Sequence, residues 1–237
     1  MMQNHEFAPT ITLVHAVLPA LAPMQAALEA EIPGITVRHL LDEGLSTEAV
    51  RLGGVTRVLV ERMLTLLTLA AAAPSDAIVL TCTAYSTMVP EAQARFPGLP
   101  IFAVDSMMVE TAVKRATRIG VLATFPAGLE QQSEMLTAEA SRQGKEIEII
   151  SSLHSDAMIA LRAGDAATHD RIVLAALPAL AERCDLVLLA QVSMARVLPG
   201  VPQTYRARVL SSPRLAAQAL QSALVRPSTT AATKGFV

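Results

Sequence analysis

A cysteine and a glutamine stand directly after two similar apolar segments of this chain. Residues 76–81 precede Cys82, and residues 185–190 precede Gln191. A short apolar run ahead of small polar residues is typical of a buried parallel strand that ends in a loop. Because open α/β sheets bind ligands outside the carboxyl ends of their strands, both side chains are candidates for a functional site.

The thiol of Cys82 could serve as an acid, a base or a nucleophile. We expect a helix to begin soon after it, and the positive end of the helix dipole would favour the thiolate. A reaction that removes a proton from one face of a carbon and returns a proton to the other face needs two such groups. The carboxamide of Gln191 can do neither, although it can hydrogen-bond a carboxylate or an enolate oxygen.

Three reactions are compatible with a single thiol. Cys82 could protonate the enediolate left after loss of CO₂, or add to an activated double bond and leave after rotation. It could also pair with a different base for proton transfer, and His15 is the candidate because it follows the first predicted strand on the same sheet edge. Backbone N–H groups after Cys82 and Gln191 would form an oxyanion cradle in all three cases.

The two segments belong to a longer internal repeat. Cys82 aligns with Gln191 at a shift of 109 positions, and a pattern that begins at Val14 recurs from Val121 at a shift of 107. Strands alternate with helices in both repeats, which predicts an α/β fold with parallel sheets and helices on both faces. We therefore expect two pseudo-symmetric halves with the site in the cleft between them. Residues 42–46 are expected to form a loop, and residues 48–73 a long helical region with a break at Gly53.

Composition narrows the class of protein. The chain has 237 residues, of which 52% are hydrophobic, so it can build a large core. A net charge of −2 and the lack of a basic or aromatic-basic patch argue against a nucleic-acid partner. Two cysteines are too few for a disulfide framework. With no predicted signal segment or membrane span, we expect a cytoplasmic protein, and a homo-oligomer stays open.

The sequence resembles the aspartate/glutamate/hydantoin racemase superfamily from about Ile11 to Leu224. The resemblance rests on the motifs at residues 79–84, 119–124 and 187–190. It implies an enzyme that needs no cofactor or metal, with a cysteine after each of two equivalent strands. Cys82 matches the first cysteine, whereas Gln191 stands in place of the second.

The resemblance also implies further site residues and a division of the chain. Substrate contacts are expected from the following residues: Thr83, Ala84, Thr124, Val192, Ser193 and the His15 loop. Tyr85 could also lean into the cleft or cover its rim. The first half would comprise residues 1–106 and 208–225, and the second half residues 107–207. Residues 226–237 read as a loose tail.

Two enzyme classes and one binding class remain open from the sequence. The first is a racemase or isomerase that acts on the carbon beside the carboxylate of a small organic or amino acid. The second is an arylmalonate-type decarboxylase or lyase that uses Cys82 as a proton donor. The third is a degenerate protein that only binds a small acid. In each case the expected partner is a small carboxylic acid.

Overall fold

The computed structural model describes residues 8–225 as two α/β halves in tandem. The first contains β1 (Thr10–His15), α1 (Leu21–Glu31), β2 (Thr36–Leu41), α2 (Glu43–Arg51), α3 (Arg57–Ala71), β3 (Ala77–Leu80), α4 (Val89–Arg95), β4 (Ile101–Ala103) and α5 (Ser106–Arg115). The second contains β5 (Arg118–Ala123), α6 (Pro126–Gln143), β6 (Glu148–Leu153), α7 (Ser155–Arg162), α8 (Ala166–Ala181), β7 (Leu186–Leu189), α9 (Gln203–Arg206), β8 (Val209–Ser211) and α10 (Ser212–Val225).

Each half has one four-stranded parallel sheet, and the two sheets have the same topology. The strand order is β2-β1-β3-β4 in one and β6-β5-β7-β8 in the other. All residues of β3 and β7 are buried, as expected for central strands covered by helices on both faces. The predicted α/β class, with two similar halves, is confirmed.

Strand register brings the two candidate positions to equivalent places. Val14 lies level with Leu80 in the first sheet, and Leu122 lies level with Leu189 in the second. Immediately beyond, the N–H of Thr81 donates to the carbonyl of Val14, at 3.0 Å. The N–H of Ala190 donates to the carbonyl of Leu122 in the same way, at 2.9 Å. The polar residues that follow therefore leave each sheet at the same edge.

The first helix after β2 begins earlier in the structure than the sequence predicted. The predicted loop at residues 42–46 is wrong, because α2 already begins at Glu43. The side chain of Asp42 caps it by accepting a hydrogen bond from the N–H of Gly44, at 3.0 Å. The expected break near Gly53 is confirmed, and Gly53 has a φ of 74°, a conformation that favours glycine.

The last segment of the chain contributes to both halves. Within residues 208–225, β8 pairs with β7 in the second sheet, whereas α10 packs against α1 and joins the first core through Ala217 and Leu220. Conversely, α5 follows the first sheet but packs against α6 in the core of the second. The predicted tail at residues 226–237 lies outside the described residues.

No helix within residues 8–225 is long and apolar enough to cross a membrane.

Candidate active site

Cys82 and Gln191 each stand between a central strand and a short 3₁₀ helix. Cys82 precedes the 3₁₀ helix Thr83–Met88, and Gln191 precedes the 3₁₀ helix Val192–Gly200. Both residues have extended backbones, so each side chain leaves the sheet edge in the same way. The hydroxyl of Thr83 donates to the carbonyl of Ala190 at 2.8 Å, which joins the two strand ends directly.

A small, partly open cavity of about 30 Å³ lies between the two halves at this point. We call it the inner cavity. It is lined in the first half by Val17, Ala20, Ser46 and residues 81–84, and in the second by Phe125, Gly128, Met158, Arg162 and residues 191–193. Five residues predicted as site residues therefore lie together with Cys82 around one cavity: Thr83, Ala84, Gln191, Val192 and Ser193.

The thiol of Cys82 is held in its neutral form. Burial is the main cause and raises its pKa to about 12; the nearby carboxyl of Asp105 acts in the same direction. A backbone hydrogen bond from Ala84 opposes the shift but does not cancel it. The thiolate expected from a helix dipole is disfavoured here, because Cys82 leads into a 3₁₀ helix and the burial of its thiol outweighs the one backbone hydrogen bond that favours the thiolate.

Gln191 has a fixed orientation. Its Oε1 accepts the N–H of Thr124 at 2.8 Å and the hydroxyl of Thr124 at 3.1 Å. Because a backbone N–H can only donate, the atom that faces it must be the amide oxygen. The Nε2 atom is therefore directed away from Thr124, toward Gly128. A Cβ added to Gly128 would lie 2.5 Å from Nε2, so only glycine leaves room for the amide.

Two polar atoms on cavity-lining residues are buried without a partner among the described residues. They are Nε2 of Gln191 and Oγ of Ser193. Buried polar groups are normally hydrogen-bonded, and an unpaired donor costs about 1–3 kcal/mol. Both atoms belong to the second half, opposite Cys82, and both can donate to an oxygen of a bound molecule.

The structure does not bring His15 into the inner cavity. Its Nδ1 lies 2.7 Å from the hydroxyl of Thr81, and its Nε2 lies 2.9 Å from Nδ1 of His39. Burial, together with the neighbouring His39, lowers the pKa of His15 to about 3. His15 is thus a neutral imidazole behind Thr81, and the nearby Val17 and Ala20 line the cavity instead.

Tyr85 and Thr124 also lie outside the inner cavity. Tyr85 is buried in the core of the first half, and its hydroxyl donates to the carbonyl of Leu45 at 3.2 Å. Thr124 is buried as well, and both of its donors are used to hold Gln191. Its contribution to the site is therefore to position the amide.

Sequence reasoning missed Arg162, which lies at the end of α7 and lines the inner cavity. It also lines a neighbouring space of about 310 Å³, which we call the outer pocket. The outer pocket is bordered mainly by apolar or small residues, including Val50, Phe125 and Ile159. No local pattern around Arg162 marks it, because the fold alone brings α7 beside the Cys82 strand end.

Asp105 was also missed as a group that affects the site. It follows β4, is fully buried and accepts a hydrogen bond from the hydroxyl of Ser86 at 3.1 Å. Burial raises its pKa to about 6, and the hydrogen bond from the hydroxyl of Ser86 opposes that shift. Its position at a strand end next to the Cys82 strand was a usable signal, since sheet order places β4 beside β3.

Fold and site together define a two-lobed α/β protein whose cleft carries one thiol and one amide at equivalent strand ends. The sequence profile of the Asp/Glu/hydantoin racemase family matches residues 18–220. The chain therefore belongs to the Asp/Glu/hydantoin racemase family. A search of curated proteins found no match to this chain.

Solved structures of racemases share the fold at low sequence identity. A glutamate racemase from Bacillus anthracis is 16% identical with a TM-score of 0.69, over 93% of this chain and 82% of that one. An allantoin racemase from Klebsiella pneumoniae is 16% identical with a TM-score of 0.67, over 92% and 88%. An aspartate racemase from Picrophilus torridus is 14% identical with a TM-score of 0.66, over 91% and 94%.

Proposed function

We propose that this chain is a racemase or isomerase that acts on the carbon beside the carboxylate of a small organic or amino acid. The observation that carries the proposal is the placement of Cys82 and Gln191 at equivalent strand ends around one cavity. Family membership supports the reaction class. The chemistry assigned below to single residues is our inference from the geometry.

Cys82 is the group that moves a proton. At neutral pH it is a thiol, since its pKa lies near 12, and it therefore donates a proton more readily than it accepts one. Proton removal by Cys82 needs a substrate or a neighbouring group that lowers this pKa on binding. The backbone hydrogen bond from Ala84 already acts in that direction and favours the thiolate.

Gln191 stabilises charge and moves no proton. With Oε1 occupied by Thr124, its free donor is Nε2, which would bind a carboxylate or the oxygen of a developing enediolate. The hydroxyl of Ser193 adds a second donor from the same half. Donors aimed at a developing oxyanion are typically worth about 3 kcal/mol each in transition-state stabilisation.

One observation favours a second candidate, a decarboxylase or lyase. A protonated thiol opposite an amide provides one acid and an oxyanion donor, which is sufficient to protonate an enediolate after CO₂ leaves. A two-base racemase would need a further acid or base. His15 was expected in that role, but it is bonded at both ring nitrogens behind Thr81.

The test is a D₂O exchange screen by NMR with amino acids, arylmalonates, maleate and hydroxy acids. Wild type, Cys82→Ala and Cys184→Ala are compared in parallel, with Cys184→Ala as the control because Cys184 is buried in the core of the second half. For a racemase or isomerase, α-deuterium uptake or double-bond isomerisation should disappear in Cys82→Ala and persist in Cys184→Ala.

Other outcomes distinguish the alternatives. CO₂ release without α-exchange, lost in Cys82→Ala, would favour the decarboxylase. Turnover that survives in Cys82→Ala would contradict the assignment of the thiol. Saturable binding of an acid with no turnover of any kind would favour the degenerate binding protein.

A further inference from the structure

A chain of hydrogen bonds leads from the surface of α1 to Thr81 at the edge of the inner cavity. The hydroxyl of Thr81 lies 2.7 Å from Nδ1 of His15, and Nε2 of His15 lies 2.9 Å from Nδ1 of His39. Nε2 of His39 lies 3.2 Å from Oε1 of Gln25, whose Nε2 donates to Glu29 at 2.8 Å. The two imidazoles also stack, with 5.2 Å between their centroids, and we call them the histidine pair.

The outer end of this chain fixes one proton. Nε2 of Gln25 donates to the carboxylate of Glu29, so the amide oxygen of Gln25 is the atom that faces His39. Because an amide oxygen can only accept, Nε2 of His39 must carry a proton. Nδ1 of His39 is left to accept a hydrogen bond from His15 or to donate one to it.

The inner end of the chain allows two arrangements. The hydroxyl of Thr81 lies 2.7 Å from Nδ1 of His15 and 3.1 Å from the carbonyl oxygen of Val14. A hydroxyl has one proton, so it can donate to only one of these acceptors at a time. The carbonyl of Val14 also accepts the N–H of Thr81 at 3.0 Å and therefore keeps a partner in either case.

Two protonation states satisfy every bond of the chain. In the neutral state the hydroxyl of Thr81 donates to Nδ1 of His15, and Nε2 of His15 donates to Nδ1 of His39. In the charged state both nitrogens of His39 carry protons, and Nδ1 of His39 donates to Nε2 of His15. His15 then donates from Nδ1 to Thr81, whose hydroxyl turns to the carbonyl of Val14. The charged state holds one proton more, which comes from solvent.

No ion pair fixes either state. The titratable and charged side chains next to the histidine pair are Glu29 of α1, Arg38 of β2, Asp42 and Glu43 at the start of α2, Arg62 of α3 and Cys82 after β3. Asp42 pairs with Arg62, and Arg38 donates to a backbone carbonyl. Within residues 8–225, the hydrogen-bond partners of the two rings are a hydroxyl, an amide oxygen and each other.

Burial decides which ring carries the charge. It lowers the pKa of His15 to about 3, and the neighbouring His39 acts in the same direction. Burial also lowers the pKa of His39, although this ring is only partly buried. The pair therefore takes up its proton below the ordinary histidine pKa of 6.5, and the charge lies on His39 while His15 stays neutral.

We propose that His15 and His39 form one proton-binding site that switches the hydroxyl of Thr81 between two acceptors as the pH changes. The site is a pH-sensitive device directly behind the strand end that carries Cys82. Protonation moves the hydroxyl from His15 to Val14 and places a positive charge behind Thr81. The device goes beyond the proposed function, since it needs neither a ligand nor turnover.

The experiment is an NMR titration of the full chain labelled with ¹⁵N-histidine, from about pH 8 to about pH 4. Correlation of ring nitrogens with ring protons shows which nitrogen of each imidazole is protonated, and His15→Gln and His39→Gln assign the signals. His15 should change from the Nε2–H to the Nδ1–H tautomer without becoming an imidazolium. This change should have the same midpoint as the protonation of His39, and that midpoint should lie below 6.5.

Backbone amides report whether the switch reaches the strand end. The amide signals of Thr81 and Cys82 should shift with the midpoint of His39. The shift should be reduced in Thr81→Val, which lacks the hydroxyl, and kept in Thr81→Ser. Asp105, with a pKa of about 6, titrates in the same range; Asp105→Asn removes its contribution and should leave the tautomer change of His15 intact.

Four results would overturn the inference. His15 could keep one tautomer throughout, become an imidazolium within the range, or change with a midpoint different from that of His39. The fourth is an amide signal of Cys82 that does not follow His39 in Asp105→Asn. Because no substrate is present in any of these measurements, failure of the proposed function would leave them unaffected.

Discussion

Replacement of Gly128 by alanine provides a focused test of the role given to Gln191. The new Cβ would lie 2.5 Å from Nε2 of Gln191, where an ordinary contact needs about 3.5 Å or more, so the amide must move by roughly 1 Å. That shift would strain or break the bonds from Thr124 to Oε1, now 2.8 and 3.1 Å long. The amide donor would then no longer face the substrate.

The expected effects on stability and on activity differ in size. Each lost hydrogen bond lowers the free energy of unfolding by about 1 kcal/mol, and one or two are lost. Alanine in place of a helical glycine raises it by about 0.5–1 kcal/mol. The free energy of unfolding should therefore fall by only about 1 kcal/mol. Loss of a donor to a developing oxyanion costs about 3 kcal/mol, so kcat should fall about 100-fold.

Three measurements on Gly128→Ala check this reasoning. Chemical denaturation gives the change in unfolding free energy, and amide hydrogen exchange at Thr124 should accelerate because its N–H loses its acceptor. Turnover is then compared with that of Gln191→Ala and of the double variant. If Gly128 acts through the amide, Gly128→Ala should have less than about a two-fold further effect once Gln191 is alanine.

Three outcomes would contradict the roles given to Gly128 and Gln191. Additive losses in the double variant would mean that Gly128 affects the site by another route. Unchanged exchange at Thr124 would show that the amide accommodates the new methyl group without moving. A loss of several kcal/mol in stability would mean that the helix, and not the side chain of Gln191, absorbs the strain.

Three further predictions follow from buried groups near the site. Asp105 has a pKa of about 6 when folded against 3.8 in the unfolded chain, so the stability it contributes is present below pH 4 and is lost as pH rises through 6. Unfolding free energy should fall by about 3 kcal/mol over that range, and Asp105→Asn should flatten the profile in denaturation experiments. At pH 8, iodoacetamide should label Cys82 at least about 100-fold more slowly than a free thiol, because the raised pKa leaves little thiolate. Labelling is measured by mass spectrometry in the Cys184→Ala variant, in which Cys82 is the one remaining cysteine. Fast labelling would contradict the raised pKa. Tyr85→Phe should cost about 1 kcal/mol in unfolding free energy, through loss of the bond to Leu45, and leave kcat unchanged; a large fall in kcat would place Tyr85 in the site after all.

The repeat in the sequence was sufficient to predict the two sheets and the pairing of Cys82 with Gln191. Apolar strands followed by small polar residues are local patterns, and parallel sheets align the ends of such strands at one edge. These patterns do not predict the direction in which a side chain points once the chain has left the strand and entered a loop. His15 was assigned to the cleft from its place at the end of β1. Its imidazole instead contacts Thr81 and His39, and it does not line the cavity.

Contributions from distant helices were harder to predict. Arg162 reaches the site from α7 across the interface, to a contact with Ser46 that is separated by 116 positions in sequence. The pKa of Cys82 likewise depends on the density of packing around the thiol, which no sequence pattern expresses. Both features arise from how the two halves meet.

The exchange of α5 and α10 between the two cores has a consequence for how a substrate enters. A hinge motion that parted the sheets would have to separate α5 from α10, which pack against each other, and α10 from α1. Opening of that kind carries the cost of exposing both cores and belongs to slow, collective motions. Rotamer changes of Phe125, Met158 and Arg162, the three side chains shared by the inner cavity and the outer pocket, need no such rearrangement. Entry through this side-chain gate would not wait for a slow collective motion, so the rate of ligand association should change when the size of these three side chains is changed.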